Sequence, residues 1–467
     1  MSKPNVIWIY CDELRADAIG CYGNQHADMK TPNLDQLADS GVIFSNCFCN
    51  SPVCVSSRMS VLTGLYPEDT GVYHNEGHWP NFRLNGEYLT FPQVFAENGY
   101  DTADFGKLHI PREMQPWQYR NSEGAGMGKL YEDIDREDLD IINSGDVPTV
   151  IGGHYPADKP YPPEKLTENA INWIETAQEP YLVRLSYLQP HTPVFPRPPY
   201  DTMYQGISFP DVIEHRGTPS QFERRFAQVI NAEKMTSRQI YLAQVYYYGL
   251  VSWIDSQIGQ VLEQLRRTNQ LENTIIVFGA DHGASLGENG LYAKHVFAPQ
   301  VHRVPLIISW PGTIGGGKIE DGICEPLSMA RTLFNLTGID SPAQFKGRDL
   351  IADDSSEAIY STIGFGYPDS AAFPNLNFGK YYDNKGWPRR SCIRTSEYRL
   401  DRNVRIDGKI ISYDEKDIFL ADLKNDPDEI INVANKEGYG EITTRLSGML
   451  DEHIKTRIEP PADYLRR

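Results

Sequence analysis

Near its start the chain reads Asn5-Val6-Ile7-Trp8-Ile9-Tyr10, then Cys11-Asp12-Glu13. The apolar run from Val6 to Tyr10 does not alternate with polar residues, which is the pattern of a strand buried on both faces of a parallel sheet. It is too short for the hydrophobic region of a signal peptide and ends in acids, so it reads as a core strand rather than a leader. The acids at its end matter as much as the strand. In open parallel sheets ligands sit beyond the carboxyl ends of the strands, and here that end carries two carboxylates.

Working outward, similar runs recur at Asp101 to Phe105, Tyr181 to Tyr187, Thr274 to Gly279 and Val304 to Ser309. Helical patterns fall between them at Asn33 to Ser40, Ser57 to Thr63, Thr90 to Asn98, Leu166 to Ala177 and Thr236 to Arg267. The alternation predicts an α/β fold with a mixed, mainly parallel sheet flanked by helices. The segment from Pro111 to Pro163 is polar and rich in Gly, Pro and Asp, and reads as an excursion from that core. Beyond about residue 355 the character changes. Short runs at Arg390 to Ile393, Tyr398 to Asp401 and Asp417 to Leu420 suggest a small antiparallel sheet, closed by a helix from Gly440 to Lys455. The expected division is a catalytic α/β domain over 1–355 and a smaller α+β subdomain over 356–467.

The four parallel-strand candidates end in chemistry. Asp12-Glu13 comes after the first and Gly106-Lys107-Leu108-His109 after the second. Gln189-Pro190-His191 comes after the third and Asp281-His282-Gly283 after the fourth. Taken singly these are weak signals. An Asp-His pair after a strand is more often a cap beside a surface imidazole, Lys107 a solvated lysine and His109 a hydrogen-bonded core histidine. Their convergence on one sheet edge changes the balance. Asp12, Glu13 and Asp281 offer the hard oxygen ligands of calcium, magnesium or manganese, and His282 a nitrogen. Lys107, His109, His191 and Arg58 offer positive charge and proton donors around a tetrahedral anion.

The most specific stretch is Ser51-Pro52-Val53-Cys54-Val55-Ser56-Ser57-Arg58-Met59-Ser60-Val61-Leu62-Thr63-Gly64. It sets a cysteine in a turn leading into a helix, with a cation four residues on, surroundings that favour an anionic or electrophilic centre. An isolated cysteine is otherwise a buried, inert one. The stretch resembles the sulfatase signature, Cys-x-Pro-x-Arg followed by Leu-Thr-Gly, whose cysteine is oxidised after translation to formylglycine. The resemblance spans most of the chain. Asn5 to Gly23, Thr31-Pro32-Asn33-Leu34-Asp35, Gly106-Lys107-Leu108-His109, Pro190-His191-Thr192-Pro193 and Asp281-His282-Gly283 match family segments in order. Lys294, ahead of Arg303-Val304-Pro305, matches the last active-site lysine. Tyr398-Arg399-Leu400 and the run from Asp417 to Pro427 resemble the C-terminal subdomain.

This resemblance implies an alkaline-phosphatase-like fold and hydrolysis of a sulfate ester. It implies one divalent metal, calcium before manganese or magnesium, held by Asp12, Glu13, Asp281, His282 and the modified Cys54. By position, Arg58 and Lys107 would hold the hydrated aldehyde, His191 and Lys294 would bind sulfate and protonate the departing alcohol, and His109 would take a proton from the second hydroxyl. Asn75 is an additional candidate contact to the anion, or a turn asparagine. The sequence departs from the pattern at Ser56, where Pro or Ala is usual, at Glu13, where Asp or Gln is frequent, and at Ala298-Pro299, where an aromatic-Glu pair is common. Two alternatives stand beside the sulfatase reading: a phosphonate monoester hydrolase or phosphodiesterase of the same superfamily, and a non-catalytic relative in which Cys54 stays a thiol.

Composition bounds the partners. With 63 acidic against 44 basic side chains the net charge is -19, which argues against nucleic acid as a partner. No stretch approaches the roughly 18 apolar residues of a membrane span. Seven cysteines, odd in number and without a CxxC pair, fit a reducing cytoplasm better than a disulfide framework. The expected partners are a small sulfate- or phosphate-type ester and a formylglycine-generating maturation enzyme, with a homo-oligomer left open. Trp79, Trp117, Tyr119 and Tyr131 lie in the candidate substrate loops, either to stack on a ring or simply to pack.

Overall fold

The computed structural model describes residues 3–23, 29–78, 82–84, 86–135, 139–142, 150–209, 217–230, 234–352, 356–364, 388–406, 409–410 and 417–455. At its centre is an eight-stranded sheet. From edge to edge the strands are Lys318–Glu320, Gly41–Phe44, Leu306–Ser309, Thr274–Ala280, Asn5–Asp12, Tyr181–Pro190, Asp101–Gly106 and Tyr119–Asn121. Asn5–Asp12 lies in the middle and every one of its residues is buried, as its unbroken apolar run requires.

Leu306–Ser309 alone runs against its neighbours, antiparallel to both Gly41–Phe44 and Thr274–Ala280. The mainly parallel sheet is therefore mixed at this one strand, and the reversal has a consequence. Its start, rather than its end, lies on the edge where the parallel strands finish, so the loop carrying Lys294 arrives there too. The long helix Ser237–Arg267 covers the sheet with Trp253, Ile254, Ile258 and Leu262 fully or almost fully buried. Burying each such side chain contributes about 1.5–3 kcal/mol.

The reading of 111–163 as an excursion is corrected. Tyr119–Asn121 hydrogen-bonds to Asp101–Gly106 as an edge strand of the main sheet, and Trp117, Leu130, Ile141, Val150 and Tyr155 belong to the main core. The polar residues between these anchors hide them from a composition reading. Trp117 packs in that core, whereas Tyr119 and Tyr131 stay partly exposed at 43% and 38%; Trp79 lies outside the described residues.

A second sheet, antiparallel as expected, joins Ile359–Gly364, Arg389–Arg394, Tyr398–Ile406 and Lys409–Ile410, with Ile418–Asp422 also paired to Tyr398–Ile406. The helix Gly440–Lys455 packs on it through Leu446, Leu450 and Ile454. The expected domain boundary at 355 falls outside the described residues. Among the described residues no helix is long and apolar enough to cross a membrane.

Candidate active site

Register brings the acids together. Cys11 pairs with Ala280 across parallel strands, so Asp12 and Asp281 leave the sheet side by side. Glu13 turns back in the left-handed region (φ 62°), and its N–H donates to Asp281 Oδ1 at 3.2 Å. Lys107 comes directly after Gly106, whose φ of 103° and approach to Ser186 exclude a side chain; a Cβ there would stand 2.2 Å from the Ser186 carbonyl oxygen. The Lys107 N–H donates to that same carbonyl at 2.8 Å.

The helix Cys54–Thr63 begins at the cysteine itself, after an extended Val53, and closes on Gly64 at φ 64°. Predicted to start at Ser57, it gains a first turn because Asn75 caps it: Asn75 Oδ1 accepts the Val55 N–H at 3.1 Å. That is where the structure places Asn75, as a cap under Cys54. Ser56 Oγ donates to the Val72 carbonyl at 2.6 Å and Ser57 Oγ to the Asp281 carbonyl at 2.6 Å, tying both sides of the helix down. One turn on, Arg58 Nε donates to Asp281 Oδ2 and Nη2 to Asp12 Oδ2, each at 2.9 Å, while Nη1 reaches Ser186 Oγ at 2.9 Å.

Lys294 enters from the short hairpin of Ser285–Leu286 and Tyr292–Ala293. Its Nζ lies 2.7 Å from Glu13 Oε1, 3.0 Å from Cys54 Sγ and 3.0 Å from His191 Nε2. Cys54 Sγ is also 3.3 Å from His282 Nε2 and 3.5 Å from Asp12 Oδ1. Lys107 pairs with Asp12, and His109 is close enough to Cys54 for each to influence the other's protonation. Asp12, Glu13, Cys54, Arg58, Lys107, His109, His191, Asp281, His282 and Lys294 thus form one connected centre. Sequence reading missed Ser57 and Ser186, which brace it, and the stacked His74–His295 pair beside it (Nε2 to Nε2 3.3 Å). His295 is the residue after Lys294, but no spacing pattern marks it.

The charges shape the proton states. Burial alone would push the Cys54 thiol up, yet Lys294, Lys107 and His282 pull it well below its ordinary value. Burial and the Lys107 charge hold His109 down at about 4, so it is a neutral proton acceptor at physiological pH. His282 is raised to about 9: burial works against its charge, but Asp281 and Cys54 outweigh it. Asp281 is raised by burial and by the neighbouring Asp12.

One atom each from Asp12, Cys54, Asp281 and His282 falls within a mutual 4.8 Å. Ligands of a hard cation sit at about 2.3–2.6 Å, so donors on one ion lie at most about 5 Å apart, and the set fits a single ion. Sulfur is the poor member of that set for calcium or magnesium; an oxygen at residue 54 would suit it better. Glu13 groups instead with Asp12 and His191.

Known proteins share this arrangement's fold and sequence. The Sulfatase family model matches residues 4–339, and the model named N-sulphoglucosamine sulphohydrolase, C-terminal, matches residues 287–456. Human iduronate 2-sulfatase is 30% identical, with 96% of this chain and 90% of that protein covered. The solved structure of BT4656 in complex with its substrate D-glucosamine-2-N,6-O-disulfate superposes with a TM-score of 0.73 at 22% identity, covering 97% of this chain and 98% of that one. A phosphonate monoester hydrolase of Agrobacterium radiobacter superposes with a TM-score of 0.76 at 21% identity, covering 97% and 95%.

Proposed function

Because this chain belongs to the sulfatase family and is a sulfuric ester hydrolase, we propose that residue 54, oxidised from cysteine to formylglycine, is its nucleophile. The observation that carries the reading is the environment of Cys54 Sγ, with Lys294, His282 and Asp12 within 3.5 Å at the start of a helix. The modification supplies a hydrated aldehyde whose hydroxyl attacks sulfur. A divalent cation, calcium in the first instance, would be held by Asp12, Asp281, His282 and residue 54, with Glu13 beside them, and would supply polarisation of the ester oxygens.

The chain's own residues do the rest. Arg58, fixed by Asp12, Asp281 and Ser186, cannot swing, so it orients the attacking hydroxyl rather than moving with it. Lys107, paired with Asp12, would hold the hydrated aldehyde together with Arg58, while Lys294 and His191 would bind the sulfate oxygens. Lys294, with His191 3.0 Å away, protonates the departing alcohol. His109, neutral at working pH, removes the proton of the second hydroxyl so that sulfate is expelled.

The substrate we assign is a small sugar bearing a projecting sulfate. The side chains of Lys107 and His191 keep only 13% exposure each, so the reacting centre admits a terminal group. The name of human iduronate 2-sulfatase and the glucosamine disulfate bound to BT4656 point the same way. Assays on a sulfated monosaccharide, an aryl sulfate and an aryl phosphonate, with calcium and with manganese, test the assignment. Turnover of the sulfated sugar ahead of the phosphonate is expected; a preference for the phosphonate would refute it.

A further inference from the structure

We infer that Arg399, a buried arginine of the C-terminal sheet, is a positioning residue that holds the turn carrying Lys294. The inference rests on the reading of Lys294 as the group that protonates the departing alcohol.

Lys294 stands on strained backbone. Ala293 and His295, on either side of it, have φ of 59° and 82°. Left-handed conformations of non-glycine residues are strained and persist only where the surroundings impose them. Two anchors do so. Before the turn relaxes back to extended chain, the His295 N–H donates to the Pro52 carbonyl at 3.1 Å, two residues from Cys54. Three residues after Lys294, the Phe297 carbonyl accepts Arg399 Nη1 at 2.7 Å. The first anchor belongs to the catalytic sheet's own loops. The second comes from strand Tyr398–Ile406, in the other sheet.

Arg399 is itself fixed. It is fully buried, with Nη1 also 3.0 Å from Glu429 Oε2 and Nε 3.2 Å from Asp401 Oδ2. Glu429 Oε2 is held in turn by Arg394 Nη2 at 2.6 Å, and Asp401 Oδ1 by Arg390 Nε at 2.6 Å. The guanidinium lies 4.3 Å over the Phe419 ring. With the guanidinium plane against Phe419, Nη1 directs its two N–H groups to the Glu429 carboxylate and to the Phe297 carbonyl, so the carboxylate that fixes the guanidinium also aims it at the loop. Plain stabilisation of the small sheet would be served by Glu429 and Asp401 alone. The bond across to Phe297 is what ties that sheet to the catalytic lysine, and it gives the motif Tyr398-Arg399-Leu400 a task in the chemistry.

The test compares Arg399→Lys, Lys294→Ala and the double variant on 4-nitrophenyl sulfate, a good leaving group, and phenyl sulfate, a poor one. Lys294→Ala should lose far more on phenyl sulfate. Arg399→Lys should share that bias, with kcat/KM down roughly tenfold on phenyl sulfate and about twofold on 4-nitrophenyl sulfate. Added to Lys294→Ala, it should bring no further bias, since both act through one ammonium. Equal loss on both substrates, or a full extra loss in the double variant, would overturn the proposal and leave Arg399 a stability residue. If Lys294→Ala shows no bias, the reading of Lys294 falls first and the proposal with it. Should Arg399→Lys fail to fold, Glu429→Gln keeps the shape while removing the carboxylate that aims Arg399. A biased loss there supports positioning and a uniform one overturns it.

Discussion

Lys294 Nζ lies 3.0 Å from Cys54 Sγ although 240 residues separate them in sequence. The contact exists because the antiparallel strand Leu306–Ser309 begins where the parallel strands end. The loop ahead of it therefore drops onto the helix Cys54–Thr63, where His295 and Pro52 share a backbone hydrogen bond. Residues 54 and 294 are thus brought together by loops next to strands of opposite direction in one sheet.

Gly106 is where the fold controls Lys107. Gly106→Ala forces a Cβ against the Ser186 carbonyl at 2.2 Å with φ at 103°, and neither backbone can yield without moving Lys107 or Arg58. A loss of about 3 kcal/mol in urea unfolding is expected, with kcat/KM down at least about a hundredfold. Near wild-type values of both would show that the close approach is not needed.

The ligand set predicts an order of metal affinities. Asp281 presents both oxygens to the centre, bonded to Glu13 N, His282 N and Arg58 Nε. Glu13 Oε1 is engaged by Lys294 and stands outside the four-residue grouping. Calorimetry with calcium should find Asp281→Asn weakened more than tenfold, about 1.4 kcal/mol or more, and Glu13→Gln weakened less. The reverse order would move Glu13 to the heart of the set.

Glu68 couples the small sheet to the helices near Cys54. Burial would raise its carboxyl, but His453, 3.8 Å away, and the Thr362 hydroxyl bring it down to about 2. A carboxyl depressed in the folded state stabilises fully above its unfolded value of about 4.3, and that stability disappears as pH falls toward 2. Glu68→Gln should therefore cost on the order of 3 kcal/mol at pH 7, and the gap to the parent should close between about pH 4.5 and pH 2. A gap that stays constant with pH would assign the loss to packing instead.

Much of the fold and site is readable from the residues, for identifiable reasons. Strands such as Asn5–Asp12 and Thr274–Ala280 are buried on both faces, so hydrophobicity alone marks them, and the groups just past their ends then converge by the geometry of a parallel sheet. The short strands Gly41–Phe44, Tyr119–Asn121 and Lys318–Glu320 escape because three or four residues carry no period. The reversal of Leu306–Ser309 escapes because strand direction leaves no local trace. Asn75, an anion contact or a turn residue by sequence, also accepts the Val55 N–H at the start of the helix, a bond that depends on where residue 55 lies in space. Arg399 is the extreme case: its partner, Phe297, is 102 positions away on another sheet's loop.

Catalysis by the proposed mechanism requires one chemical state of residue 54. Mass spectrometry of the peptide containing it reads that state directly, on enzyme whose sulfate-ester turnover has been measured in the same preparation. A peptide lighter than the cysteine form by about 18 Da, in a fraction that rises and falls with specific activity and vanishes with all turnover in Cys54→Ala, is the expected result. Fully active protein carrying only the intact thiol would contradict it.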